Sequence, residues 1–182
     1  MTTTGSVVAV FTTHRAAETA VRRLAAAGFE MKDLSVVGKG YHAEETVVRF
    51  YGTGKRGAFS GVRGTFWSDL WSLFLGGAFF TNPLLGHVVI LGYLATIAIP
   101  VLETAVTIEG LSEVGVVLYR IGIPREKVQD YEAALKSDGF LVMAHGTPAT
   151  MISAKMLLDK LVPTSLGVHA GGQQTGQIIQ FG

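Results

Sequence analysis

From Leu70 to Leu102 the chain runs for thirty-three residues without an Asp, Glu, Lys or Arg, and with one histidine, His87. Such a stretch cannot be an ordinary solvated surface element. It has to be buried in a core, in an assembly or in lipid. Thr81-Asn82-Pro83 interrupts it. Asn-Pro favours turn initiation, and the residue before a proline avoids the helical region. The run therefore predicts two apolar helices, Thr65–Phe80 and Leu84–Leu102, folded as a hairpin, with Pro100 kinking or ending the second. A third apolar-rich helix is expected over Glu103–Tyr119, wetted at Glu103, Glu109 and Glu113.

Each arm of that hairpin would span about 24–29 Å at 1.5 Å per residue. The hydrocarbon core of a bilayer is about 30 Å thick. Lys55, Arg56 and Arg63 precede the run, and Trp67 and Trp71 stand at its start. Basic flanks and interfacial tryptophan are what a membrane hairpin with both ends in the cytoplasm would show. Gly76, Gly77, Gly86 and Gly92 allow helices to approach closely, which serves a buried oligomer core equally well. Two partners are therefore expected in the alternative: membrane lipid, or other copies of the same chain.

The flanking segments have a different grammar. Val7-Val8-Ala9-Val10-Phe11, Leu34-Ser35-Val36-Val37 and Phe140-Leu141-Val142-Met143-Ala144 are short continuous apolar runs, the mark of strands buried on both faces. Thr12-Thr13-His14 opens a helix over Arg15–Ala27 with Val21 and Leu24 inward, and Gly28 follows as its cap. The segment Glu45–Tyr51 fits a strand or a helix start. Pro124 starts a helix with Val128, Tyr131 and Leu135 on one face, ending at Gly139. Thr147-Pro148 starts another, whose apolar positions are Ile152, Met156 and Leu161. Neither flank has enough strands for a sheet of its own. The expectation is an α+β fold, a ferredoxin-like or related βα-type sheet with an inserted apolar helical hairpin. Its head comprises residues 6–51 and 121–161, split by a basic linker and insert over 52–120. Residues 162–182 form an uncharged tail, and its Ile178, Ile179 and Phe181 are too apolar for a purely solvated linker. They are expected to dock on a sheet edge, that of a neighbouring copy.

Fifteen Lys+Arg nearly balance fourteen Asp+Glu, so no basic excess points to nucleic acid. The absence of cysteine removes disulfides, thiolate catalysis and thiolate metal sites. Met1–Ser6 lacks the basic region of a signal peptide. Gly52-Thr53-Gly54-Lys55-Arg56-Gly57 fails as a phosphate loop, because Arg49 stands where the first glycine belongs and Arg56 where the Ser/Thr belongs. Gly38-Lys39-Gly40-Tyr41-His42 follows a strand and is a tight turn that could approach an anion. His14, His42, His87, His145 and His169 show no i, i+3 or i, i+4 pairing, so no metal site is expected. His145, just after a buried strand, is expected to bond the turn backbone. No catalytic set and no cofactor is expected.

The order and spacing of several segments resemble the bacterial general-stress (heat-induced stress) protein family, in its branch with a hydrophobic insert. The segments are Val8-Ala9-Val10-Phe11, Ala25-Ala26-Ala27-Gly28-Phe29, Leu34 to His42, Gly64-Thr65-Phe66-Trp67, Leu70-Trp71, Gly77-Ala78-Phe79-Phe80, Tyr119 to Pro124, Tyr131 to Lys136 and His145-Gly146-Thr147. The resemblance covers about residues 6–160 and implies a stress-associated role without established chemistry. It leads to two expectations. One is a non-enzymatic module held on the cytoplasmic side of the inner membrane by its insert. The other is a self-assembling cytoplasmic protein whose inserts pack together.

Overall fold

A computed structural model of the chain describes residues 5–40, 49–52, 61–74, 77–82 and 85–170. Among the described residues seven strands form one sheet: β1 (Gly5–Phe11), β2 (Leu34–Lys39), β3 (Arg49–Gly52), β4 (Gly77–Asn82), β5 (Gly86–Gly92), β6 (Phe140–Gly146) and β7 (Ser165–His169). Their order is β3-β4-β5-β2-β6-β1-β7, antiparallel at every junction. Because β6 is antiparallel to both β1 and β2, those two run parallel with β6 between them. They are joined by α1 (His14–Ala26). Likewise β6 and β7 run parallel around β1 and are joined by α6 (Pro148–Asp159). Two interleaved β-α-β units thus make one half of the sheet.

Helices cover both faces. On one, α1, α2 (Gly61–Phe74) and α6 pack on Val7, Ala9, Phe11, Val36, Phe140 and Val142. On the other, α3 (Tyr93–Thr104), α4 (Glu113–Arg120) and α5 (Arg125–Lys136) pack on Val8, Val10, Val37, Leu141 and Met143. This explains the unbroken apolar runs, since alternate side chains of β1 and β6 enter different cores. The local signals also hold. Thr13 caps α1 by accepting the Ala16 N–H at 3.1 Å, and Gly28 takes φ +102° just past its end. Thr147 caps α6 in the same way. Val128, Tyr131 and Leu135 are the buried face of α5.

The uncharged run does not form a helical hairpin. It becomes the end of α2, the β4–β5 hairpin and α3. Phe79 and Phe80 are aromatic and Val88, Val89 and Ile90 are β-branched, which suits strands. Ala78, Phe80, Val88 and Ile90 enter one core, and Phe79, Val89 and Leu91 the other. With both sides apolar, the two-residue period is invisible in the sequence. Gly86, at φ +89°, turns the hairpin. The β5 strand then pairs with β2 in register, Val37 opposite Ile90, so the insert continues the sheet of the head. The expected helix over Glu103–Tyr119 is also broken. The α3 helix ends at Thr104, and α4 starts at Glu113 after Ser112 accepts the Gly115 N–H at 3.1 Å. Of the undecided segment Glu45–Tyr51, the part from Arg49 is strand. Residues 165–169, within the segment expected to be a tail, are the edge strand beside β1.

Candidate functional site

A line of polar side chains crosses the sheet on the face covered by α3–α5. In the register, His169 of β7 lies opposite Ser6 of β1, and Ser6 lies opposite His145 of β6. Ser35 of β2 completes the line. The Ser6 hydroxyl is 2.8 Å from Nδ1 of His145, and the Ser35 hydroxyl is 2.8 Å from Nε2. All three are buried, His145 to 3% exposure and Ser35 to 0%. Burial holds the imidazole well below its ordinary pKa, at about 3. The ring is therefore neutral, with one N–H donor and one acceptor nitrogen. One serine donates to it and the other accepts from it.

Ser35 has a second task. Its hydroxyl accepts the Leu94 N–H at 3.0 Å, in the first turn of α3, where an N–H has no helical partner. Tyr93, one residue earlier, lays its ring against His145 with 4.6 Å between centroids. Gly92 makes this junction possible. It sits at φ +85°, and a Cβ there would stand 2.0 Å from the Leu34 carbonyl oxygen. The Ser6–His145–Ser35 set thus ties β1, β6, β2 and α3 together. As chemistry it has the atoms of a nucleophile and a base. Both hydroxyls are held against the ring inside the core, at 3% exposure or less.

A second contact continues the line. Tyr131 of α5 places its hydroxyl 2.7 Å from Nε2 of His169. Burial, with Asp130 adding, pushes the Tyr131 phenol up to about 12. Burial, with Lys127 adding, lowers His169. On the same face, the Glu132 carboxylate accepts from the Ser112 backbone N–H at 2.7 Å and from its hydroxyl at 2.5 Å. A small cleft of about 200 Å³ lies beside them, with Gln129, Lys136 and Leu85 on its wall. A broader one of about 410 Å³ opens between the end of α1 and the start of α6, at Phe29, Glu30, Asp33, Thr150 and Ser153. Lys32 bridges Glu30 and Asp33 at 3.1 and 3.7 Å. Among the described residues no three His, Asp or Glu side chains come together as a metal site.

The residues singled out in the sequence are dispersed. Trp67 and Trp71 are 1% and 0% exposed and face the protein's own core, not lipid. The Trp67 indole donates to the Lys39 carbonyl at 2.9 Å and its ring lies 6.1 Å from that of Phe140. Gly77 starts β4, where a Cβ would stand 2.4 Å from the Ile90 carbonyl oxygen. Gly86 and Gly92 occupy positive-φ turns at the two ends of β5. Arg63 lies within α2. Gly76, Lys55, Arg56, His42, Ile178, Ile179 and Phe181 lie outside the described residues. Lys39, the cation of the candidate anion turn, is engaged with Asp138 at 3.3 Å and with the Lys136 carbonyl at 3.1 Å. Among the described residues no helix is long and apolar enough to cross a membrane.

His145 stands within β6 and bonds two serines rather than a turn backbone. Those serines were the missed partners. Their one signal was position: Ser6 and Ser35 are isolated hydroxyls at the start of apolar runs, where a buried O–H needs a partner.

Residues 6–82 match the family model of the heat induced stress protein YflT domain. The match runs from the start of β1 to the end of β4, so β5, β6 and β7 lie beyond it. No curated protein and no solved structure matches the chain.

Proposed function

We propose that this chain is a stress-associated, non-enzymatic module on a ferredoxin-like core, and that it works by assembling with copies of itself. The similarity of residues 6–82 to the heat induced stress protein domain supports the stress association. One observation carries the second. The groups best suited to chemistry, Ser6, His145 and Ser35, are sealed at 3% exposure or less, whereas large apolar side chains stand exposed on α6, β7 and the link between them. Surface of that kind favours contact with another protein over chemistry on a small molecule.

The interface is not the insert. Phe79, Val89, Ile90 and Leu91 of the apolar run are spent inside the molecule, all at 0% exposure. Among the described residues no helix is long and apolar enough to serve as a membrane-spanning anchor. The test is the mass of the purified full chain by light scattering and native mass spectrometry, without detergent. The expected result is a multiple of the 19.3 kDa chain mass. A single 19.3 kDa species at micromolar concentration overturns the assembly reading. For the stress association, the protein's abundance in its native host should rise after a heat step; a constant level refutes it.

A further inference from the structure

We infer that the β7 edge is the self-assembly surface, with two copies pairing β7 to β7, antiparallel, about a two-fold axis at Gly167. The inference rests on the assembly reading above and names its interface.

Among the described residues β7 ends the sheet, and no described strand pairs with the backbone donors and acceptors of its outer side. Natural edge strands are usually blunted by lysine, proline, a bulge or an inward charge. Ser165-Leu166-Gly167-Val168-His169 has no charged residue and no proline, and it pairs regularly with β1. It is also compatible with itself. In an antiparallel pair centred on Gly167, Leu166 of one copy lies opposite Val168 of the other, and no like charges meet. An isologous interface demands this self-complementarity.

The flank of the edge is apolar too. The four large hydrophobic side chains exposed among the described residues are Ile152 (62%), Met156 (61%), Val162 (83%) and Val168 (45%). Ile152 and Met156 share one side of α6 at i, i+4, while Met151, Ala154 and Leu158 bury the other. Thr150 and Ser153 line the cleft toward α1. At 100° per residue, this puts Ile152, Lys155 and Asp159 on the flank away from α1, toward the β7 edge, with Met156 beside them on the outer face of the helix. The α6 helix is antiparallel to β7, so a β7-to-β7 two-fold brings two antiparallel α6 flanks together. Lys155 and Asp159, one turn apart, then meet their opposites across the axis. The result is an apolar strip with a charge-complementary rim, the composition of a protein interface.

The experiment compares masses of full-length variants. The wild type should run at twice 19.3 kDa. Val168→Lys and Ile152→Lys, both at exposed positions, should give the 19.3 kDa species with an unchanged far-UV spectrum. Mixing Val168→Lys with Val168→Asp should restore the dimer, because the two side chains stand diagonally across the pair within reach of each other. A wild-type dimer that survives Val168→Lys overturns this interface and leaves the assembly reading standing. A monomeric wild type overturns both. A monomer that dimerises once residues 171–182 are deleted shows the edge covered by the chain's own C-terminal segment, which also overturns the inference for the intact protein.

Discussion

Ser35 and His145 are separated by 110 positions in the chain, yet the serine hydroxyl meets Nε2 of the imidazole at 2.8 Å inside the sheet. The same hydroxyl holds the Leu94 N–H. One small side chain therefore couples the central strands to the helix that follows the β4–β5 hairpin.

Removing it should cost more than an ordinary serine. Ser35→Ala leaves a buried imidazole nitrogen and a buried helix N–H without partners, at about 1–3 kcal/mol for each group. The expected loss is about 2–4 kcal/mol in urea unfolding. Ser35→Thr, which keeps the hydroxyl, separates hydrogen bonding from packing. A loss below about 0.5 kcal/mol for Ser35→Ala would show that the hydrogen bonds of this hydroxyl do not stabilise the fold.

His145 predicts an acid-sensitive fold. Its pKa is about 3 in the folded chain, against an ordinary 6.5. Between those values the unfolded state binds more protons, so stability rises with pH. It is fully present above about 6.5 and falls as pH drops toward 3, by up to about 1.4 kcal/mol per unit. His169, also lowered, acts in the same direction. Urea midpoints at pH 7 and pH 4.5 should differ in the wild type. The difference should shrink in His145→Asn; an identical pH slope in that variant would remove His145 as the cause.

Two glycines at positive φ should respond differently. Gly92 has φ +85°, and a Cβ there would collide with the Leu34 carbonyl. Gly28 has φ +102° with nothing within 4 Å of an added Cβ. Gly28→Ala should cost only the backbone strain, about 1 kcal/mol. Gly92→Ala should cost about 3 kcal/mol or more, since strain and a backbone clash combine. Thermal unfolding of the pair checks this, and equal shifts would contradict the β5–α3 geometry.

Ile90 distinguishes a core from a lipid face. It is fully buried in β5, opposite Val37 of β2. Ile90→Lys places an unpaired charge in the core and should abolish folding, seen as loss of a cooperative thermal transition. A folded Ile90→Lys protein with normal far-UV and near-UV spectra would mean that this strand faces out.

The local grammar of the chain was legible from its residues. The starts of α1 and α6, the apolar face of α5, the strands at Val7, Leu34 and Phe140, and the α+β class follow from caps, periodicity and breakers. Those signals act within a few residues, so they survive without knowledge of the fold. The uncharged run from Leu70 to Leu102 announced burial but not shape. Once both sides of an element are apolar, helical and strand periods look alike, and only the pairing of β5 with β2 chose the strand. Ile152 and Met156 misled in the opposite sense. They are the obvious apolar stripe of α6, yet Met151, Ala154 and Leu158 face the sheet, because the position of β1 and β6 sets which side of the helix is covered. The Ser6–His145–Ser35 contact was out of reach for the same reason. Its three members become neighbours only through strand order, a long-range property that the packing of two cores decides and no local spacing records.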